Sequence, residues 1–291
     1  MTALADVLAA RALELVSIPS ESGHEEAIRE HVLGLVPATW TAEFAGDEAF
    51  LLAPPRRTGL PLVVLAAHYD TVPAQENLPG RRTAEAVHGL GASDMKGGLA
   101  VALELVRAGS LPSATCDVAL LVFGREELPA EHNPLPALFA TSSLVHETTL
   151  AVVLEPTDLT IQAGCLGNVV ARLTFAGTSG HAARPWLADS ALEKAARGLL
   201  PLFELSPRPA VVSGLEFVEV VSVTRLEAGI ADNVIPGEAV ATLNLRYPPD
   251  RTPVEAEAYL RSVCPAGTTL SIESNAPPAR VVDASAVRAL Q

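Results

Sequence analysis

The stretch LPLVVLAAHYDTVP, residues 60–73, decides the fold. Its first eight residues form an unbroken apolar run of strand length, which suits a strand buried on both faces rather than one with a wet side. The run then stops at His68 and Asp70. Residues two apart in extended chain point to the same side, so the strand ends by presenting an imidazole and a carboxylate together. DVALLVFG (117–124) and TLAVVLEP (149–156) have the same continuous apolar character, and KGGLAVALELVRAG (96–109) has helical spacing. Alternation of such strands with helices predicts an α/β layer with its sheet covered on both faces.

Beyond about residue 163 the pattern changes. NVVARLTFAG (168–177) alternates polar and apolar residues, as a strand with one wet face does. A helix is expected at about 188–204, strands at about 215–225 and 237–247, a helix within 250–263 and a last strand at 268–274. Thr252 is the expected N-cap of that last helix, with Pro253 at its first position. The order β-α-β-β-α-β matches a ferredoxin-like unit. The expected organisation is a catalytic α/β domain over 1–163, an inserted ferredoxin-like domain over 164–276, and the opening of a further catalytic segment over 277–291.

Composition narrows the function. Apolar residues make up 49% of the chain and charged residues 19%, with 23 prolines and 20 glycines, as expected of a folded protein with many turns. A net charge of −14 argues against a nucleic-acid partner, because phosphate backbones need basic patches. No apolar run approaches the roughly 20 residues that span a bilayer. The amino terminus, MTALADVLAARALELVSIPS, reads as an amphipathic helix ending near Ser17 and Pro19, not as a secretory leader. Cys116, Cys165 and Cys264 are an odd set without CxxC spacing, so neither a disulfide framework nor a thiolate zinc site is expected, and a cytoplasmic location is.

Polar groups recur where the apolar strands stop. His68 and Asp70 follow the first, Glu126 and Glu127 the second, and Glu155 ends the third, while Asp94 lies between the glycine-rich GLGAS and a helix. Ligands of open α/β sheets bind at the carboxyl ends of the strands, so these groups are expected on one rim. Singly each has an ordinary explanation: a satisfied polar histidine, a solvated glutamate pair, an aspartate capping the helix that follows it. Together they form one imidazole and several carboxylates that repel one another unless a cation neutralises them. Such an N/O set suits zinc, and also manganese or cobalt. Within it Asp70 can accept a hydrogen bond from the ring nitrogen of His68 that faces away from a metal. Adjacent Glu126 and Glu127 diverge, so that one can bind metal while the other handles a proton.

HYDTVP (68–73), GLGASDMKGG (89–98), Glu126–Glu127, EPT (155–157), GTSGHAARPW (177–186) and NVIPG (233–237) occur in this order. In these motifs, which run through essentially the whole chain, it resembles the dinuclear-zinc amidohydrolases and peptidases, a family that includes acetylornithine deacetylase, aminoacylase and carboxypeptidase G. EELPAEHNPL (126–135), EPTDLTIQAGCLGN (155–168) and GHAARPWLADSA (180–191) look most like its actinobacterial succinyl-diaminopimelate desuccinylase type.

The resemblance implies roles residue by residue. His68 and Glu155 would hold one metal, Asp94 would bridge two, and Glu127 would hold the second. Glu126 would be the general base, Asp70 would orient His68, and the peptide after Asp94 would be cis. His181 would reach a partner subunit's site and stabilise the oxyanion; taken alone it reads as a turn histidine. Asn233 and Arg246 match positions that contact substrate, although a lone strand arginine is more often a surface charge. The smaller domain would serve as lid and homodimer interface. Two zinc (or cobalt or manganese) ions are implied per full-length chain, with the second site completed by a histidine from a segment beyond residue 291. The implied reaction is hydrolysis of a small N-acyl amino acid, foremost N-succinyl-LL-2,6-diaminopimelate. The alternatives are acetylornithine deacetylation, another deacylase or dipeptidase activity, and a non-catalytic homologue. Cys165 and Leu166 stand where some desuccinylases of the family carry basic residues, a departure that bears on the succinyl group.

Overall fold

A computed structural model of the chain describes residues 3–46, 48–108 and 115–279. It divides into two units, Met1–Thr160 and Ile161–Gln291, each built around its own core. In the first, helices α1 (Ala3–Val16) and α2 (Glu26–Leu35) precede a hairpin of β1 (Thr41–Ala45) and β2 (Ala49–Ala53). Strand β3 (Leu62–His68), a short antiparallel pair β4 (Arg81–Arg82) and β5 (Val87–His88), helix α3 (Gly97–Arg107) and strand β6 (Asp117–Phe123) follow. Helices α4 (Leu135–Thr141) and α5 (Ser143–His146) lead into β7 (Thr148–Val153).

The sheet order is β1-β2-β6-β3-β7, with β3 parallel to both β6 and β7 and β2 antiparallel to β6. The central place of β3 explains its continuous apolar sequence. Leu62, Val64 and Ala66 pack on one face with Leu121, Leu138 and Leu144. Leu65 and Ala67 pack on the other with Leu15, Leu99 and Leu103. Strand β6 divides in the same way, Val118, Leu120 and Val122 joining one core and Ala119, Leu121 and Phe123 the other. Each buried leucine or valine of this kind contributes about 1.5–3 kcal/mol.

Strand β7 corrects the sequence reading. Its apolar run is continuous, yet its residues alternate between partly buried and exposed because it is the last strand of the described sheet, and Val153 is exposed. It also stops at Val153, two residues before Glu155.

In the second unit, β8 (Gly167–Ala176), β9 (Gly180–His181), α6 (Ala191–Gly198), α7 (Leu200–Phe203), β10 (Arg208–Val212) and β11 (Leu215–Ala228) are followed by β12 (Val234–Ile235), β13 (Glu238–Tyr247), α8 (Pro253–Val263) and β14 (Thr268–Ala276). The large sheet runs β10-β11-β13-β8-β14 and is antiparallel throughout. Without the added edge strand β10, the strands lie in the spatial order second, third, first, fourth, which is the ferredoxin-like arrangement. One face is buried: Val169, Ala171, Leu173 and Phe175 of β8 meet Ala241, Leu243 and Leu245 of β13 under α6 and α8.

Helix α8 starts as read, with the Thr252 side chain accepting from Glu255 N–H and Glu255 returning a bond to Thr252 N–H. The helix expected over 188–204 is instead two, capped at Ser190 and interrupted at Leu199, just ahead of Pro201, where a proline can only open a new helical turn. The hairpin arm β10 was not legible because RPAVV places a proline in a strand, a position tolerated only at a sheet edge.

Glu219 on β11 is buried and takes hydrogen bonds from Arg208 of β10 and from Arg251, at 2.9 Å and 2.6 Å. Burial alone would push its carboxyl up. The bonds and charges of the two guanidiniums outweigh that and hold it below the usual glutamate range. The folded pKa is therefore depressed relative to the unfolded one. The resulting stabilisation is complete above the unfolded value and disappears as pH falls through the folded value. Glu219→Ala should cost about 2 kcal/mol at pH 7 in denaturant titration, with the difference from wild type shrinking in acid. A difference independent of pH would refute the ion-pair account.

Candidate metal centre

The parallel strands align their carboxyl ends. His68 pairs with Phe123 across β3 and β6, Tyr69 N–H bonds Phe123 O at 2.9 Å, and Leu154 N–H bonds Ala66 O at 3.1 Å. His68, the turn after β6 and the residues after β7 are thereby brought to one rim, the site of ligand binding in open α/β sheets.

Asp94 reaches that rim from the turn that opens α3. Gly91, at φ +72°, provides a left-handed bend, and a Cβ there would lie 2.7 Å from the Thr71 methyl. Lys96, not Asp94, occupies the N-cap of α3, and no side chain caps that helix, so the reading of Asp94 as a helix cap is excluded. The Asp94–Met95 peptide is cis. Four residues past Asp94, Gly98 packs so closely under the Leu154 carbonyl that a Cβ would lie 2.2 Å from its oxygen. This contact brings the start of α3 against the residue before Glu155 and gives the KGG sequence its physical reason.

His68 is buried, with Nε2 3.0 Å from Asp94 Oδ1 and 3.7 Å from Glu155 Oε1. Its Nδ1 faces Asp70, 3.1 Å from the main-chain oxygen and 3.3 Å from Oδ1. Ligand atoms of His68, Asp94 and Glu127 all lie within 4.8 Å of one another. The side chains of Asp94 and Glu155 are 56% and 37% exposed against 1% for His68, so the cluster is anchored at the imidazole and open on its carboxylate side.

Asp70, fully buried, organises more than the imidazole. Its Oδ2 accepts from Ser22 O–H at 2.6 Å and from Glu127 N–H at 3.2 Å, and its Oδ1 accepts from Glu126 N–H at 3.1 Å. Burial would raise its carboxyl, but the bonds from His68, Ser22 and the two peptide groups hold it below the usual aspartate range. Burial is the leading cause of the opposite shift in the other carboxylates. It pushes Glu126 and Glu127 up, with Asp94 adding to both, and pushes Glu155 up to about 7. His68 runs against its own burial, which would lower it: the bonds and charges of Asp70, Asp94 and Glu155 raise it to about 9.

Such mutual repulsion is relieved by a divalent cation, and one imidazole with carboxylates is the donor set zinc, cobalt or manganese takes. The sequence reading included the cluster and Asp70. It missed Ser22, whose partner is 48 residues away and whose PSESG context reads only as a turn.

In the second unit His181 and Asn233 lie together: His181 pairs with Val234 across β9 and β12, and Ala182 N–H bonds Asn233 O at 2.9 Å. His181 Nδ1 accepts from Ala183 N–H at 3.1 Å, which in the neutral ring leaves the proton on Nε2, available to donate. Arg246 donates to Asn244 Oδ1 at 3.1 Å, and Asn244 in turn donates to Asn168 at 2.8 Å. Arg246 lines a cavity of about 700 Å³ with Cys165, Leu166 and Phe217.

Residues 64–291 match the model of peptidase family M20/M25/M40. The chain belongs to this family. Membership makes it, by class, a metal-dependent amidohydrolase. It is 34% identical over 250 residues to a succinyl-diaminopimelate desuccinylase of Corynebacterium glutamicum, covering 83% of this chain and 66% of that protein. It is 36% identical over 254 residues to a Mycobacterium tuberculosis protein with a provisional name for the same activity, covering 86% of this chain and 70% of that protein. The chain thus spans about two thirds of the length of these relatives. Among solved structures, the Bacillus cereus aminopeptidase PepT superposes with a TM-score of 0.69 at 17% identity, over 98% of this chain and 80% of the other. At that identity the likeness speaks for the fold. Among the described residues no helix is long and apolar enough to cross a membrane.

Proposed function

We propose that this family member hydrolyses the amide bond of N-succinyl-LL-2,6-diaminopimelate to succinate and LL-2,6-diaminopimelate. The observation that carries the hydrolytic part is the meeting of His68, Asp94 and Glu127 within 4.8 Å beside the paired Glu126. The named relatives support the substrate. His68, Asp94, Glu127 and Glu155 would hold the metal, two zinc, cobalt or manganese ions in the full-length protein. Bound there, the ions would polarise the scissile carbonyl and acidify the attacking water. Glu126 accepts that water's proton as the new C–O bond forms and returns it to the leaving amine as the C–N bond breaks. Its raised pKa lies nearer neutrality than an ordinary carboxylate's, which suits a group that must both take and give a proton. Asp70 keeps His68 in the tautomer that offers Nε2 to the metal.

His181, whose Nδ1 accepts from Ala183 N–H, has Nε2 left to donate to a developing oxyanion, and we assign it that role in a homodimer in which the second unit serves as lid and interface. Arg246, held by Asn244, would pair with a substrate carboxylate, with Asn233 contacting the substrate nearby in sequence. A cytoplasmic enzyme fits the three cysteines, none of which forms a disulfide.

The direct test is turnover of N-succinyl-LL-2,6-diaminopimelate by the full-length protein with added zinc or cobalt, compared with N-acetylornithine and a dipeptide. Equal or faster turnover of either competitor would overturn the substrate assignment and leave hydrolysis standing. A second reading, another N-acyl amino acid deacylase, is favoured by Cys165 and Leu166 in the wall of the Arg246 cavity, where no second cation joins Arg246 among the described lining residues.

A further inference from the structure

We infer that Glu48, in the turn between β1 and β2, is a positioning residue that sets the Glu126–Glu127 turn through the two residues that precede it. The inference rests on the hydrolytic reading of those two glutamates. Asp70 fixes their own peptide groups, but the turn begins one step earlier, at Arg125, which adopts φ +61°. A side chain is disfavoured in that left-handed region, so the conformation must be imposed by its surroundings.

Glu48 supplies the restraint, and it does so with main chain and side chain together. Its carbonyl oxygen accepts from Gly124 N–H at 2.9 Å, and its Oε1 accepts from the Arg125 guanidinium at 3.4 Å, so the two residues preceding Glu126 are both tied to it. Its other contacts reach the opposite half of the site. Tyr69, buried between His68 and Asp70 in sequence, donates its hydroxyl towards the Glu48 carbonyl oxygen at 3.1 Å and Oε2 at 3.3 Å. Arg29 of α2 donates to Oε1 at 3.1 Å, which pairs the carboxylate in a place where it is 7% exposed. Glu48 therefore clamps the strand end that presents His68 and the turn that presents Glu126 and Glu127 to the same carboxylate. Among the described residues its hydrogen bonds go to Arg29, Tyr69, Gly124 and Arg125, and to none of the proposed metal-binding side chains.

The test uses the full-length protein and follows metal affinity and turnover separately. Glu48→Ala should weaken cobalt binding, followed by its visible absorption, by about tenfold through Glu127. At saturating cobalt it should lower kcat by about 30-fold through Glu126, with KM within about twofold of wild type. Glu48→Gln, which keeps one amide oxygen for Arg125 and leaves the Tyr69 hydroxyl on the main-chain carbonyl, should recover most of both losses. Wild-type affinity and kcat in Glu48→Ala, or equal damage in Glu48→Gln, would overturn the inference. If Glu48→Ala fails to fold, Arg125 decides: Arg125→Ala, which keeps the strained conformation without its anchor, should lose more metal affinity than Arg125→Gly, and the reverse order would overturn the inference. An inactive wild type would instead count against the hydrolytic reading, and the cobalt titrations would still decide the role of Glu48.

Discussion

Glu126→Gln is expected to lower kcat by about 10³-fold while the metal stays bound, because positioned general acid–base groups contribute about 10²–10⁴. The substitution keeps shape while removing the ability to take a proton and, with it, the charge. KM should change little, since the amide fills the same space. The same change removes one negative charge from a cluster in which Asp94 already raises the pKa of Glu126, Glu127 and Glu155. The metal-free variant should therefore melt higher than wild type although it is almost inactive. Turnover, metal content by elemental analysis and a melting curve check the three statements. A kcat within tenfold of wild type, with metal retained, would remove Glu126 from the role of base.

Asp70→Ala should do the opposite to stability. It deprives the peptide N–H groups of Glu126 and Glu127 of their acceptor, leaves Ser22 O–H only the longer 3.3 Å bond to Thr71 O, and removes one of the two oxygens facing His68 Nδ1. In a fully buried position this should cost about 3 kcal/mol. Because the same carboxylate orients the imidazole and sets the peptide of a second ligand, metal affinity should fall by about 10–100-fold. Asp70→Asn, which keeps one acceptor oxygen, should lie between. Denaturant titration and metal titration test the two effects independently. Affinity within threefold of wild type together with a stability loss below about 1 kcal/mol would show that Asp70 is not the organiser of the rim.

The central strands were legible because burial on both faces writes itself as unbroken apolar sequence, in β3 and β6 alike. The rule failed at β7, where an equally apolar segment sits at the edge of the described sheet, since composition does not record a strand's neighbours. The ferredoxin-like order was readable from the change in periodicity after residue 163, whereas the split between α6 and α7 and the arm β10 turned on single prolines. The imidazole–carboxylate cluster was legible for a different reason: each member follows an apolar strand or a glycine turn, so polarity in the wrong place marks it. Ser22 and Glu48 carry no such mark. They lie in turns where polar residues are ordinary, and their meaning comes from partners 48 and 77 residues away.

The contact between Gly98 and the Leu154 carbonyl has a consequence for what this position tolerates. It couples the turn that bears Asp94 to the segment that bears Glu155 through main chain on both sides, where no rotamer can adjust. A Cβ at residue 98 would lie 2.2 Å from the carbonyl oxygen, so one segment or the other must shift to admit any side chain. The seam between a helix and the end of a strand thus holds two carboxylate-bearing segments together in a position where only hydrogen fits.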